Sequence, residues 1–377
     1  MDATDDRRLV TLEDRFARFA EESAPTSPLY ARLAGWLGGD ARPAAALANA
    51  PPGQVRPTLW LAGLHAALLR DPSDPLAAWY PSCGGTRHPD EPDLLRAFKA
   101  AVDRHAAWLE EVCRTRATQT NEVGRTVALR LGLAAVRAAG DDAVSLVEIG
   151  PSAGLLLRVD RYAHVYGDAR AVGPSAGPPA PDLTVACDLR GDATPAPTDP
   201  VPTLVDRVGL DPEPGDPADP EVALWLRACL WPEHDVRRTR LDAALAAAAR
   251  DPAPIVAGDA ATEDLETLLG SRPAGLPVVV WHSSALAYLA RPVRAGMGDR
   301  LAAVAAARGR DVWQVSLEGD FLAPWDAAHA GVPPEPDGWI GHVLGLARHR
   351  PDGTSEARLL ARVEPHGRWV RWLDLPA

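Results

Sequence analysis

The sequence predicts an α/β protein: a doubly wound, mostly parallel sheet with a C-terminal antiparallel hairpin, preceded by an all-helical N-terminal region. Three observations predict it. Up to residue 140, apolar residues recur at helical spacing between Pro and Gly turns, with no strand-like run before residue 143. Beyond it, short apolar runs alternate with helical stretches, and alternating β and α units build a mainly parallel sheet. Near the end, three strand-like runs are separated by the turn signals Pro351-Asp352-Gly353 and His366-Gly367, which makes them antiparallel. The expected organisation is a helical cap over 1–140 and an α/β domain over 141–377.

The helical region is read in four pieces. Thr11 to Ser23 is amphipathic, with Phe16 and Phe19 on one face. Pro57 opens a second helix in which Trp60, Leu64 and Leu68 recur. Asp93 to Thr115 is a third. The fourth runs from Asn121, read as its N-cap, to Ala139, with Gly140 as its stop. Val144 to Ile149 is then the first strand, followed by a helix over Leu155 to Tyr166. Leu183 to Leu189 is a strand in an insertion, flanked by Pro-rich stretches, 171–182 and 194–202, that are read as loops. Asp206 to Asp211 is a strand and Glu221 to Arg250 a helix broken at Pro232. The strands Ile255 to Gly258, Pro277 to Trp281 and Val312 to Leu317 follow, the first two each succeeded by a helix. The closing strands are His342 to Arg348, Ala357 to Val363 and Arg368 to Leu373.

Composition narrows the function. A chain of 377 residues has two domains by default. A formal charge of -12 argues against a general nucleic-acid binder, and Lys99 is the only lysine. Cys83, Cys113, Cys187 and Cys229 form no C-x-x-C pair, so neither a zinc site nor a disulfide framework is expected. No apolar stretch reaches the ~20 residues that span a bilayer, and Met1 to Arg8 lacks a signal peptide's pattern. The expected setting is the cytoplasm, with a small-molecule substrate and neither nucleic acid nor membrane as partner. The sequence leaves the oligomeric state open.

The strongest local signal is Val147-Glu148-Ile149-Gly150-Pro151-Ser152-Ala153-Gly154-Leu155. Small residues between a strand and a helix let backbone approach a ligand. The stretch resembles the cofactor loop of S-adenosylmethionine-dependent methyltransferases, acidic-x-Gly-x-Gly-x-Gly. Glu148 takes the acidic place, Gly150 and Gly154 the outer glycines, and Ser152 replaces the middle one. The reversed strand near the end of the sheet also resembles that fold. The resemblance implies ribose contacts from Asp211, at the tip of the second strand, with Asp188 a rival; equally, Asp211 is a turn carboxylate before Pro212. Asp259 in Gly258-Asp259-Ala260 is an adenine contact or a helix N-cap. His282, after the fourth strand, and Glu318, after the fifth, are the candidate catalytic, proton-handling groups, His282 equally a structural histidine. Asn121, Glu122 and Arg125 precede the first strand and Tyr288 follows the fourth; these four are the candidate substrate contacts, with a capped helix start and surface ion pair as the plain alternative for the first three. Ser82-Cys83-Gly84-Gly85-Thr86 is a further small-residue loop.

Gly150-Pro151-Ser152-Ala153-Gly154 also matches the G-x-S-x-G nucleophile elbow, with Asp259 and His366 as triad partners. Strand order opposes this, because a hydrolase elbow follows several earlier strands. A non-catalytic protein that uses the same pocket for a ligand or partner is a third reading. Nearly end to end, the chain resembles an uncharacterised bacterial family, the domain of unknown function numbered 2332. The stretches that carry this are Arg15-Phe16 with Ser27-Pro28-Leu29-Tyr30, Pro51-Pro52-Gly53-Gln54, Gln119-Thr120-Asn121-Glu122, Glu148 to Gly154, Trp225-Leu226-Arg227 with Leu230-Trp231-Pro232-Glu233, Gly258-Asp259-Ala260, His282-Ser283 with Leu286-Ala287-Tyr288, and Pro365-His366-Gly367. That family implies no reaction, since fold and kinship alone do not give function. The combined expectation is a methyltransferase-like enzyme that takes S-adenosylmethionine as cofactor.

Overall fold

The helices form where the sequence supplies caps and apolar stripes. In the computed structural model the described residues are 11–51, 53–167, 170–172, 181–191, 200–319 and 341–373. They divide into two compact units, residues 1–120 with 220–239, and 121–219 with 240–377.

The first unit is helical: α1 (Leu12–Ser23), α2 (Pro28–Leu37), α3 (Ala41–Leu47), α4 (Pro57–Arg70), α5 (Leu94–Arg104) and α6 (Ala106–Thr115). Thr11 starts α1 through a reciprocal capping box with Asp14. α4 is buried on nearly every side, so its apolar pattern runs continuously from Leu59 to Leu68. It meets α6 at Gly63, where an added Cβ would lie 3.0 Å from Val112, and Trp108 Nε1 donates to Gly63 O at 2.8 Å. Aromatic residues fill the core, among them Tyr30, Trp60, Trp79, Tyr80, Phe98 and Trp225. Trp225 belongs to a later helix of the chain (Pro220–Ala228), and Glu233 beyond it accepts hydrogen bonds from Ser27 Oγ and Leu29 N at the start of α2. The expected boundary at residue 140 therefore shifts in two ways. Residues 220–239 belong to the helical unit, and residues 121–140 do not. The stretch expected as one helix over 93–115 is two, and α2 and α3 were not anticipated.

The second unit opens with α7 (Thr126–Ala138) and the strand β1 (Ala143–Ile149). α7 packs directly on a sheet face, because a Cβ at Gly132 would sit 2.4 Å from Val315 Cγ1. Asn121 is not its N-cap; a short 3₁₀ turn (Val123–Arg125) intervenes. The helix expected after β1 is a 3₁₀ turn (Leu156–Arg161), followed by β2 (Ala163–Tyr166). Ala-His-Val-Tyr alternates half-buried and buried, a strand's period rather than a helix's. Then come β3 (Arg170–Val172), β4 (Thr184–Arg190) and β5 (Thr203–Asp211); the chain next returns to the first unit for α8 (Pro220–Ala228) and the start of α9 (Asp235–Arg250), and the second unit resumes with β6 (Ile255–Ala257), α10 (Asp264–Gly270), β7 (Val278–Ser283), α11 (Arg291–Ala295), α12 (Met297–Arg308), β8 (Val312–Gly319), β9 (His342–His349), β10 (Ser355–Val363) and β11 (Trp369–Trp372). Ala171 and Val172 are thus strand rather than loop, and the rest of the Pro-rich stretches over 173–180 and 194–199 lies outside the described residues.

All eleven strands form one mixed sheet in the order β3-β2-β4-β11-β10-β9-β8-β7-β1-β5-β6. From β6 through β8 neighbours run parallel; β8, β9, β10 and β11 then alternate in direction. The expected hairpin is a three-strand meander, and the insertion strand β4 continues the sheet beyond β11 in parallel. β5 flanks β1 on one side and β7 on the other, so strand order reverses at β1. In open α/β sheets ligands bind outside the carboxyl ends of strands at such a reversal. One sheet face is covered by α10 and α12 through Val147, Ile149, Val278, Val280, Leu265 and Leu301. The opposite face carries α7.

Candidate functional site at the carboxyl edge

β1 and β7 end in matching irregularities. Ser152, after β1, and Ser284, after β7, are the two non-glycine residues with positive φ among those described, at 54° and 53°. Left-handed backbone at a non-glycine residue is strained, and such strain concentrates at ligand clamps and active sites. Gly150 (φ 71°) leaves the two loops close, since a Cβ on it would meet Ala285 at 3.5 Å.

The loop after β1 is braced from several sides. Asp211 at the tip of β5 accepts Ser152 N at 2.8 Å through one carboxylate oxygen and Glu213 N at 2.9 Å through the other. Asn121 Nδ2 donates to Pro151 O at 2.8 Å. The amide of Ser152 is thus already bound. Asp211 is nearly enclosed, and burial raises its pKa. Asp188 does not compete for its place, because β4 pairs with β11, several strands from β1. Asp259 is exposed and turns back to accept Ala261 N at 2.8 Å, a turn-capping role.

Glu148 lies just below this loop. It is 3% exposed, and its Oε2 has no hydrogen-bond partner among the described residues. Burial, then the neighbouring Asp211 carboxylate, push its pKa up to about 8, against the pull of Arg125 and of the Trp281 indole N–H. Arg125 Nε donates to Pro365 O at 2.9 Å and its Nη1 to Ser283 O at 3.2 Å, so one guanidinium ties the end of β7 to the turn after β10. Glu122 accepts Gly124 N at 3.0 Å and lies 3.8 Å from Arg240 and 3.4 Å from His366. Gly124 and Gly367 press together, since a Cβ on Gly367 would lie 2.1 Å from Gly124 O. His342 Nε2 lies 2.7 Å from Ser284 Oγ, and burial, helped by Arg125, pulls the His342 pKa down to about 3. Tyr288 is 59% exposed.

His282 and Glu318 sit elsewhere than expected. β7 extends through Ser283 and β8 through Gly319, so both residues lie inside strands rather than beyond them. Their parity places them on the α10–α12 face, opposite Glu148. Gln314 donates its amide to His282 Nε2 at 2.9 Å, so His282 carries its proton on Nδ1 and donates it to Glu318 Oε1 at 2.8 Å. The same oxygen accepts the amides of Ala285 and Leu286 at 3.2 and 3.3 Å. Both side chains are fully enclosed. In this conformation the pair braces the Ser284 turn and is closed off from solvent. Asp259, bonded to its own turn, completes no triad with His366, which faces Glu122.

The structure therefore brings Asn121, Glu122, Arg125, Glu148, Gly150, Ser152 and Asp211 together at one edge and leaves His282 and Glu318 behind the sheet. Sequence reasoning missed Ser284, His342 and Arg240. The chemistry of Ser284 was masked by its neighbour His282, and His342 opens an ordinary-looking strand. Parts of four stretches that carry the family resemblance, Asn121-Glu122, Glu148 to Gly154, Ser283 and Pro365 to Gly367, converge here. The model of a family described as an uncharacterized protein conserved in bacteria (DUF2332) matches residues 13–372. A comparison with curated proteins finds no match, and neither does one with solved structures.

Proposed function

The chain belongs to the DUF2332 family of bacterial proteins, and from that premise we propose that it is a methyltransferase-like enzyme that binds S-adenosylmethionine at the carboxyl edge of β1, β5 and β7 and methylates a small molecule. One observation carries the reading: Glu148 is enclosed at the strand-order reversal beside a second carboxylate, Asp211, and its Oε2 has no hydrogen-bond partner among the described residues. A buried carboxylate short of donors is costly, and a cationic ligand relieves the cost. The residues fit such a ligand. Gly150 is exposed and has no side chain, which leaves room above β1. Asp211 retains lone pairs beyond its two amide partners. The exposed Asp259 stands past the end of β6.

When bound, the cofactor supplies a methyl group activated by a sulfonium. Glu148 would face its positive charge, and Asp211, which holds the loop, would accept a ribose hydroxyl. Arg125 and Asn121 fix the two loops whose separation sets the alignment, and alignment is the main contribution an enzyme makes to in-line displacement. Ser284 and His342, hydrogen-bonded to each other at the end of β7, are candidate proton carriers, while His282 and Glu318 hold the turn that positions Ser284.

Thermal unfolding with S-adenosylmethionine and with S-adenosylhomocysteine tests this. A ligand at ~100 times its dissociation constant adds about 2.7 kcal/mol, a shift of several degrees. Absence of a shift with both sinks the reading. Binding without methyl transfer to any acceptor selects the non-catalytic alternative, which the enclosure of His282 and Glu318 favours.

A further inference from the structure

A serine–histidine pair lies within the helical unit, on the small-residue loop Ser82-Cys83-Gly84-Gly85-Thr86. His65 sits on α4, 1% exposed. Its Nδ1 lies 3.0 Å from Ala228 O and its Nε2 lies 2.7 Å from Ser82 Oγ. A carbonyl only accepts, so Nδ1 carries the proton and Nε2 presents a lone pair. Ser82 must then donate its hydroxyl hydrogen to Nε2. Nucleophile, base and orienting acceptor stand in the order that activated serines require. Burial pulls the His65 pKa down to about 4, partly offset by the Ala228 and Leu230 carbonyls, so the ring is neutral above mild acid.

Ser82 itself is half-buried, unlike its base. It sits in a 3₁₀ turn (Pro81–Cys83) that ends at Gly84 in left-handed backbone (φ 85°). Gly85 presses on the carbonyls of Ala77 and Ala78, where a Cβ would lie 2.3 Å from Ala77 O. Two consecutive glycines therefore leave the chain beside Ser82 without side chains. Cys83 Sγ, 4.0 Å from Ser82 Oγ, is the nearest competing nucleophile, but burial raises its pKa and disfavours the thiolate.

We propose that Ser82 is a nucleophilic serine, activated by His65, that takes the acyl group of ester or thioester substrates. Ser82 Oγ forms a bond to the acyl carbon as its proton passes to His65 Nε2. The bond to the alcohol or thiol then breaks, and that leaving group takes the proton. Water later attacks the acyl-serine with His65 again accepting the proton, which releases the acid and restores Ser82. The amides of Cys83, Gly84 and Gly85 already donate to the carbonyls of Tyr80, Pro81 and Tyr80 respectively. They give the oxyanion no support, so activated esters and fluorophosphonates are the substrates of choice.

The test is a fluorophosphonate probe on the intact chain at neutral pH, read by mass spectrometry and peptide mapping. The expected result is one adduct, on the peptide that contains Ser82, lost in Ser82→Ala and slowed roughly 10²- to 10⁴-fold in His65→Gln. No adduct, an adduct on another peptide, or undiminished labelling of Ser82→Ala overturns the proposal. Should His65→Gln fail to fold, the pH profile of the unaltered protein decides. With His65 as base, labelling levels off above about pH 5, one unit past its pKa. A rate that keeps climbing about tenfold per pH unit between pH 5 and 8, as direct ionisation of an unassisted serine requires, overturns it.

Discussion

Glu148 on β1 and Glu318 on β8 are both enclosed near the carboxyl ends of parallel strands, and each has one oxygen without a partner among the described residues. They differ in what surrounds them. Glu318 Oε1 receives three donors, from His282, Ala285 and Leu286. Glu148 faces a second carboxylate, Asp211, and has only Arg125 and the Trp281 indole N–H to set against it. Burial of an acid is therefore not a functional signal in itself. What separates a brace from a binding group is whether donors of the protein's own have been arranged to receive the charge.

Removing each carboxylate should accordingly change stability in opposite directions. Glu318→Ala leaves the Nδ1–H of His282 and two amides without an acceptor, and should cost about 3 to 5 kcal/mol in urea unfolding. A cost under about 1 kcal/mol would erase the distinction between the two acids.

Glu148→Gln should do the reverse. Its folded pKa, about 8, is raised above the ordinary 4.5. The group's favourable contribution is complete below about pH 4.5 and is lost as pH rises through 8. At pH 7 the carboxyl is held protonated in the folded chain but ionised in the unfolded one, a penalty of about 3 kcal/mol. Glutamine removes that penalty, so the variant should be more stable at pH 7 by about that amount and flatter in stability between pH 4.5 and 8. Under the proposed function it should also lose its thermal shift with S-adenosylmethionine, the trade of stability against function expected of a binding group.

The free protein's pKa near 8 has a further consequence for affinity. A cationic ligand pairs with ionised Glu148, so binding should weaken about fivefold from pH 8 to pH 7 and about tenfold per unit below that, with a change of about twofold above pH 8. Calorimetric titration with S-adenosylmethionine at pH 7, 8 and 9 measures this slope. A flat profile would place the ligand's positive charge away from Glu148 while leaving the site itself in question only if binding is absent.

Much of this contrast was legible in the sequence, but not which acid was which. The loop at Glu148 to Gly154 stood out because a strand must end where small residues begin. The parallel strands were legible because apolar runs repeated. The role of Glu318 was not, because β7 and β8 run two residues past their apolar patterns, and a polar row of Gln314, His282 and Glu318 looks like a strand end. The return of residues 220–239 to the helical unit was equally hidden. Trp225 and Glu233 mark a helix, but nothing local says which core that helix joins. The 3₁₀ turn and strand over 156–166 were merged into one helix because alternation over four residues is too short to stand against the helical stretch before it.

The smallest effect bears on the turn that Glu318 braces. Ser284 combines a cost, left-handed backbone at φ 53°, with a gain, the 2.7 Å bond to His342. Alanine at this position keeps the strain and loses the bond, and should destabilise by about 1 kcal/mol. Glycine loses the bond but adopts positive φ freely, which recovers about 1 kcal/mol and should leave stability within about 0.5 kcal/mol of the parent. The difference between the two variants measures the strain without reference to the lost bond. If Ser284→Gly is as destabilising as Ser284→Ala, the backbone there stores nothing, and the symmetry between the ends of β1 and β7 is one of shape and not of energy. If glycine recovers the full amount, the turn is held by the donors that Glu318 receives, and loosening it in a Glu318→Ala background should make the two Ser284 variants converge.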